Sequence, residues 1–199
     1  MGKYYEDPSA TGPWGPQLPG SQYACRQNFT IMTTDGYWNS GGPTVGNVDG
    51  TGGPTNTRDG GDPFTYAAVA PFADEYSDTL ADVAMHYWKR DLRTDSGMVN
   101  IVPTSAINPA FWQHMVTFGI SIGLRGSLDP DTAARDIING TASWPNPMDA
   151  EDVQRIDDLL HASVNGRGRF VAASDPAEFV DGLGSALRAI SERRASGSN

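Results

Sequence analysis

Residues 113–124, Gln-His-Met-Val-Thr-Phe-Gly-Ile-Ser-Ile-Gly-Leu, alternate large apolar side chains (Val116, Phe118, Ile120, Ile122, Leu124) with small ones (Thr117, Gly119, Ser121, Gly123). Successive side chains of a strand point to opposite faces. One face of this segment therefore needs a deep apolar core, and the other is thin enough for a helix to lie close upon it. A second run without breakers, Asn28-Phe-Thr-Ile-Met-Thr-Thr34, ends at the turn Asp35-Gly36 and reads as another buried strand. Arg169–Ala173 reads as a third.

Helical spacing fills the intervals. Leu80, Val83, Ala84 and Tyr87 recur at i, i+3, i+4, i+7 within residues 78–91, with Ser77 or Asp78 as the cap. A short helix is expected from Asp129-Pro130 to Asn139-Gly140, and another opens at Asp149 with a stripe of Val153, Ile156, Leu159 and Leu160. Asp175-Pro-Ala-Glu178 is a cap, a proline at the first helical position and a capping-box acid ahead of Phe179, Leu183, Ala186, Leu187 and Ile190. The order strand, helix, strand, helix, strand, helix implies right-handed crossovers and a parallel α/β sheet of about three strands with helices on both faces. So small a sheet leaves an apolar strand edge unpaired. The edge of strand 28–34 is expected to be covered by the 1–24 segment, by another molecule, or by nothing.

Glycine and proline concentrate outside these elements: residues 1–63 hold 13 glycines and 7 prolines, and the other 136 residues hold 17 of the two together. The expected layout is a Gly/Pro-rich lead-in over 1–27, one partial domain over 28–190 carrying a long loop insertion at 37–76, and a flexible tail at 191–199. A formal net charge of −10 argues against nucleic-acid binding, where phosphates must be neutralised. No stretch approaches the 18 or so apolar residues of a membrane span. The N-terminal Met-Gly-Lys-Tyr-Tyr-Glu-Asp lacks the apolar core of a signal peptide, which reads as truncation of a longer chain. Cys25 is the single cysteine, so no internal disulfide and no multi-cysteine metal site can form.

The acidic side chains are 19 aspartates and 5 glutamates, and aspartate serves turns, helix caps and hard cations. Asp35, at a strand's C-terminal end, is the leading candidate ligand for Mg²⁺ or Ca²⁺; the competing reading is a plain Asp-Gly turn. Asn47 and Asp49, in Asn-Val-Asp-Gly-Thr, are weaker candidates. They space oxygens as calcium loops do, but the twelfth position from Asn47 is Arg58 rather than an acid; Asp59 and Asp62 could join them. His86, His114 and His161 show no paired metal-ligand spacing and read as structural, His161 at a helix end where a cation complements the dipole. Cys25, beside Arg26, has no nucleophile signature around it and reads as merely buried. The aromatics Trp14, Tyr37, Trp38, Tyr87, Trp88, Trp112 and Trp144 read first as packing and second as a binding surface. Asn165-Gly-Arg-Gly168 lies between helix and strand, the wrong polarity for a phosphate loop.

Four segments carry a resemblance: Cys25–Asn39 (Cys-Arg-Gln-Asn-Phe-Thr-Ile-Met-Thr-Thr-Asp-Gly-Tyr-Trp-Asn), residues 79–92, Trp112–Phe118, and Arg155-Ile-Asp-Asp with His161–Phe170. Together, and in this order, they resemble the type IV pilus tip and biogenesis proteins of the PilC/PilY family across essentially the whole chain. The resemblance implies the latter part of a von Willebrand factor A-like, Rossmann-like domain, ahead of a β-propeller in the parent. It implies a parent at the bacterial cell surface, pilus tip or outer membrane and periplasm, engaging pilus subunits or minor pilins and a host or abiotic surface. It also implies a metal-ion-dependent adhesion site built from an Asp-x-Ser-x-Ser loop, a Thr from a second loop and an Asp after a later strand. Only the last element is matched, by Thr34-Asp35-Gly36, and no Asp-x-Ser-x-Ser occurs in the chain. The expectation is a non-enzymatic fragment of a pilus biogenesis and tip-adhesion protein that binds Mg²⁺ or Ca²⁺ in the full-length molecule. The alternatives are a metal-free scaffold and a metal-dependent or cysteine hydrolase; the hydrolase would need a base and an oriented nucleophile, and the sequence presents neither.

Overall fold

The computed structural model describes residues 1–15, 23–38, 44–58, 60–95, 97–149 and 152–196. In chain order the elements are α1 (Gly2–Tyr5), β1 (Asn28–Thr34), β2 (Thr55–Asn56), β3 (Phe64–Thr65), α2 (Leu80–Trp88), β4 (Met115–Ile122), α3 (Ala133–Ile138), α4 (Gln154–Asn165), β5 (Arg167–Ala173) and α5 (Pro176–Ser196). β1, β4 and β5 form one parallel sheet in the order β1-β4-β5, and β2 pairs antiparallel with β3 within the long loop.

The two-faced pattern of residues 113–124 explains why β4 lies in the middle. Val116 and Phe118 pack with Ala186 of α5, joined by Phe29 and Ile31 of β1. On the other face α4 lies so close to Gly119 that a Cβ there would stand 2.6 Å from Ser163 Oγ and 3.0 Å from Leu159 Cγ. α2 packs beside α4, so α2 and α4 cover one face and α5 the other. Between β4 and β5 the register slips: Thr117 faces Arg167, but Gly119 faces Phe170. The extra β5 residue makes a bulge.

Several boundaries differ from the expectation for reasons visible in the hydrogen bonds. α2 is capped by Thr79, not Ser77 or Asp78: Thr79 Oγ1 accepts from the Asp82 N–H while the Asp82 side chain accepts from the Thr79 N–H. Its buried face is Ala81, Asp82, Ala84, Met85 and Trp88 rather than the expected stripe, because the helix also buries against the long loop. α3 starts at Ala133, since the Asp129 carbonyl accepts from both Thr132 and Ala133 in a preceding turn. α4 starts at Gln154; Asn146 and Asp149 close their own turn, with Asn146 Nδ2 donating to Asp149 Oδ1 at 3.0 Å. α5 runs to Ser196, so residues 191–196, expected in the tail, continue the helix. They contain neither glycine nor proline to stop it.

The long insertion is a packed layer. Val48 and Tyr66 from it join Met85, Trp88, Ala110, Phe111 and Trp112 in one apolar cluster. Trp14, Trp88, Trp112 and Trp144 are buried, as the packing reading of the aromatics expects, whereas Tyr37 and Trp38 line an open mouth. Among the described residues of the lead-in, Tyr5 meets β1: its Oη donates to the Phe29 carbonyl at 2.9 Å and accepts from Thr30 Oγ1 at 3.5 Å. Cys25, expected to be buried, is exposed.

Candidate functional site

A cavity of about 450 Å³ opens at the C-terminal end of β1, between that strand end, the N-terminus of α2 and the start of α4. Asp35, Tyr37, Trp38, Thr79, Val83 and Arg155 are among its walls. The Arg155 guanidinium lies 5.2 Å from the Trp38 ring centroid and pairs with Asp152. Thr34 Oγ1 donates to the Gly36 carbonyl at 2.6 Å, which fixes the turn and leaves Asp35 pointing out, exposed. Among the described residues no hydrogen bond or ion pair reaches the Asp35 carboxylate.

The mouth's other carboxylate, Asp78, is engaged: its Oδ1 accepts from the Val45 and Gly46 N–H groups at 2.6 and 2.7 Å, from a residue held at φ +63°. Calcium takes about six to eight oxygens, and magnesium an octahedron. One free carboxylate does not supply such a shell, so the residues present here do not by themselves fit the adhesion-type ion.

Asn47 and Asp49 lie away from this mouth. Asn47 spends its side chain on its own loop, accepting from the Gly50 N–H at 2.6 Å and donating to the Asp74 carbonyl at 3.0 Å. Asp62 is exposed, and Asp59 lies outside the described residues. Asp49 turns inward and is fully buried, with Asn165 Nδ2 on its Oδ2 at 2.8 Å and the Asp74 N–H on its Oδ1 at 3.2 Å. Burial pushes its carboxyl up to about 7; the nearby charges of Asp74 and Asp82 act in the same direction, and His161 opposes them.

Asp49 thereby joins Asp74 and His161 in a cluster whose ligand-type atoms lie within 4.8 Å of one another. His161 Nδ1 is 3.3 Å from Asp74 Oδ2, Nε2 is 3.7 Å from Asp49 Oδ2, and Nε2 is 2.8 Å from the Phe72 carbonyl. The ring stacks on Trp144 at 4.0 Å. His161 thus sits within α4, not at its end as expected. Asp74 and Asn165 escaped the sequence reading because the cluster joins two loop positions to a helix without local spacing.

The other two histidines are held in contacts with their neighbours. His114 is wedged between the Trp112 carbonyl at Nδ1 (2.6 Å) and Asn108 Nδ2 at Nε2 (2.8 Å), and burial lowers it to about 4. His86 sits edge-on to Tyr87.

Four buried or turn-forming aspartates hold loops to helices. Asp82 Oδ1 accepts from the Val48 N–H at 2.6 Å and from the Asp49 N–H at 3.3 Å. Asp157 takes the Ser127 and Leu128 N–H groups at 2.9 and 3.0 Å. Asp158 takes those of Leu80 and Ala81, both at 2.9 Å, so α4 caps the exposed amides at the start of α2. Asp78 is the fourth. Lys89 Nζ reinforces the same loop through the Val48 and Thr51 carbonyls at 2.6 and 2.8 Å. Arg167 lies between the Phe72 and Trp88 rings, 3.6 and 3.7 Å from their centroids, and burial lowers it to about 9.

This burial predicts a pH signature. Asp158 is raised from 3.8 to about 6, chiefly by burial, so its contribution to stability is complete below pH 3.8 and is lost as pH rises through 6. His114, lowered from 6.5 to about 4, contributes the reverse: stability present above pH 6.5 that is lost as pH falls through 4. In the Asp158→Asn variant only the falling contribution of Asp158 disappears. Its urea midpoint should therefore rise relative to that of the parent chain as pH goes from 4 to 6, while the contributions of Asp49 and His114 stay common to both. Parallel profiles would contradict the assignment.

An open parallel sheet covered by helices on both faces, with a loop-lined mouth at a strand's C-terminal end, makes this a Rossmann-like α/β module, consistent with a von Willebrand A-type domain. The chain is 35% identical over 217 aligned residues, 96% of its length, to the type IV pilus biogenesis factor PilY1 of Pseudomonas aeruginosa strain PAO1. It is 34% identical over 96% of its length to the PilY1 of strain PAK, and 32% identical over 90% to that of strain UCBPP-PA14. The similarity places the chain in a PilY1-type family. The chain spans only 18%, 18% and 17% of the length of these relatives. No protein-family model matches the chain. No solved structure matches it either.

Proposed function

We propose that this chain is a non-enzymatic contact module of a type IV pilus biogenesis protein, acting at the bacterial cell surface, pilus tip or outer membrane. The observation that carries the reading is the 35% identity running along 96% of the chain to proteins named for pilus biogenesis. The mouth around exposed Asp35 and half-buried Tyr37 and Trp38 supports a contact role, because aromatic and charged groups on loops are what interfaces use. Its partners would be pilus subunits or minor pilins, a host or abiotic surface, and the rest of the parent, including a β-propeller. The non-enzymatic part rests on the three histidines being engaged in packing or loop contacts, and on no described hydrogen bond linking Cys25 to any of them. Among the described residues no helix is long and apolar enough to cross a membrane.

A scaffold reading is favoured by the commitment of Asp78 to backbone amides, which leaves Asp35 alone at the mouth. A divalent ion bound there would require ligands from elsewhere in the parent. Replacing residues 28–190 by a Gly/Ser linker in the parent gene is expected to abolish surface pilin, measured in the sheared fraction, with the parent protein still present at its normal level. Undiminished piliation would refute the biogenesis role. Asp35→Ala separates the two readings: the contact role expects pili that no longer attach, and the scaffold expects both pili and attachment to persist.

A further inference from the structure

We propose that Asp49, Asp74 and His161 form a zinc-type cation site that clasps the long loop layer to α4. This site is separate from the mouth at Asp35. The Phe72 carbonyl, 2.8 Å from Nε2, fixes the ring proton on that nitrogen. Nδ1 then presents its lone pair to Asp74 Oδ2 at 3.3 Å. A lone pair and a carboxylate oxygen do not approach so closely unless positive charge lies between them.

That charge is either a second ring proton or a bound cation. A proton would draw a charge-assisted pair to about 2.8 Å. A tetrahedral zinc with bonds of about 2.0–2.1 Å holds its ligand atoms about 3.3 Å from one another. Asp49, whose Oδ2 lies 3.7 Å from Nε2, brings a third ligand-type atom, with one such atom from each residue inside 4.8 Å. All three side chains are largely buried, Asp74 being the most exposed of them at 8 %.

A second observation points to the same ion. The fully buried Asn165 lays its amide on Asp49 Oδ2 at 2.8 Å, and its Oδ1 is buried without a hydrogen-bond partner. The unpartnered amide oxygen of a side chain already bonded to Asp49 is the candidate for a fourth ligand. One imidazole nitrogen among oxygens favours a borderline cation over calcium or magnesium, which prefer oxygen alone.

The test uses the 199-residue chain, stripped with EDTA and titrated at pH 7.5. Zinc should bind at one ion per chain by calorimetry and raise the melting temperature by about 5 °C, reversed by excess EDTA. Asp74→Asn should remove at least three quarters of that shift, and Asp35→Ala should leave it intact. Cobalt(II) gives a readout that needs no variant: the unmodified chain should develop the strong visible absorption of a four-coordinate ion. Absence of both the zinc shift and the cobalt band overturns the proposal. So does a zinc shift that Asp74→Asn leaves unchanged, or a calcium shift as large as the zinc one.

Discussion

Gly168→Ala should destabilise the chain by about 3 kcal/mol, the upper end of what overpacking costs, and lower its melting temperature by roughly 6–12 °C. A Cβ at this position would stand 1.9 Å from the Thr117 carbonyl oxygen and 2.6 Å from its carbon. Both are backbone atoms of the central strand, so no side chain can rotate away. The bulge explains the crowding: Gly168 lies where β5 accommodates its extra residue, directly after Arg167 at φ +59°. A useful contrast is Gly184→Ala in α5, where the nearest atom is the far end of the Arg188 side chain at 3.3 Å. There the removal of a mid-helix glycine should stabilise the chain by about 0.5–1 kcal/mol. Equal effects at the two sites, read from urea unfolding, would mean that β5 does not pass β4 in the described register.

Asp82→Ala should cost about 4 kcal/mol. Its two oxygens accept from the Val48, Asp49 and Thr79 N–H groups and the Thr79 hydroxyl, and the side chain is fully buried. Truncation strands two well-aligned backbone donors, Val48 and Thr79, each worth about 1–3 kcal/mol when buried without a partner. It also deletes the capping box of α2. Asp82→Asn keeps one acceptor oxygen and should lose roughly half as much. Equal losses from the two variants would point to charge rather than to the hydrogen bonds.

The sheet was legible in the sequence because its signals are local. The alternation of residues 113–124 implied a strand with one thin face, and Gly119 under Ser163 and Leu159 is that face. Asp175 and Glu178 announced α5 through a cap that the structure shows, with Asp175 Oδ1 accepting from Ala177 and Glu178 at 2.8 and 2.9 Å. The buried face of α2 was not legible, since it depends on a loop folding back over Met85 and Trp88.

The candidate residues divide the same way. Asp35 was readable from its place after a strand. The inward turn of Asp49, and its meeting with Asp74, His161 and Asn165, depends on contacts between residues far apart in sequence. The aspartate excess suggested metal in general, whereas Asp78, Asp82, Asp157 and Asp158 all accept backbone amides.

The central claim is that carboxylates make the Gly/Pro-rich insertion part of the folded module. Native-state hydrogen exchange at the Val48 amide, 2.6 Å from Asp82 Oδ1, tests it most directly. Protection of Val48 approaching that of the β4 amides, lost selectively in Asp82→Ala, is the predicted result. Exchange at the rate of an open loop in the unmodified chain would contradict it.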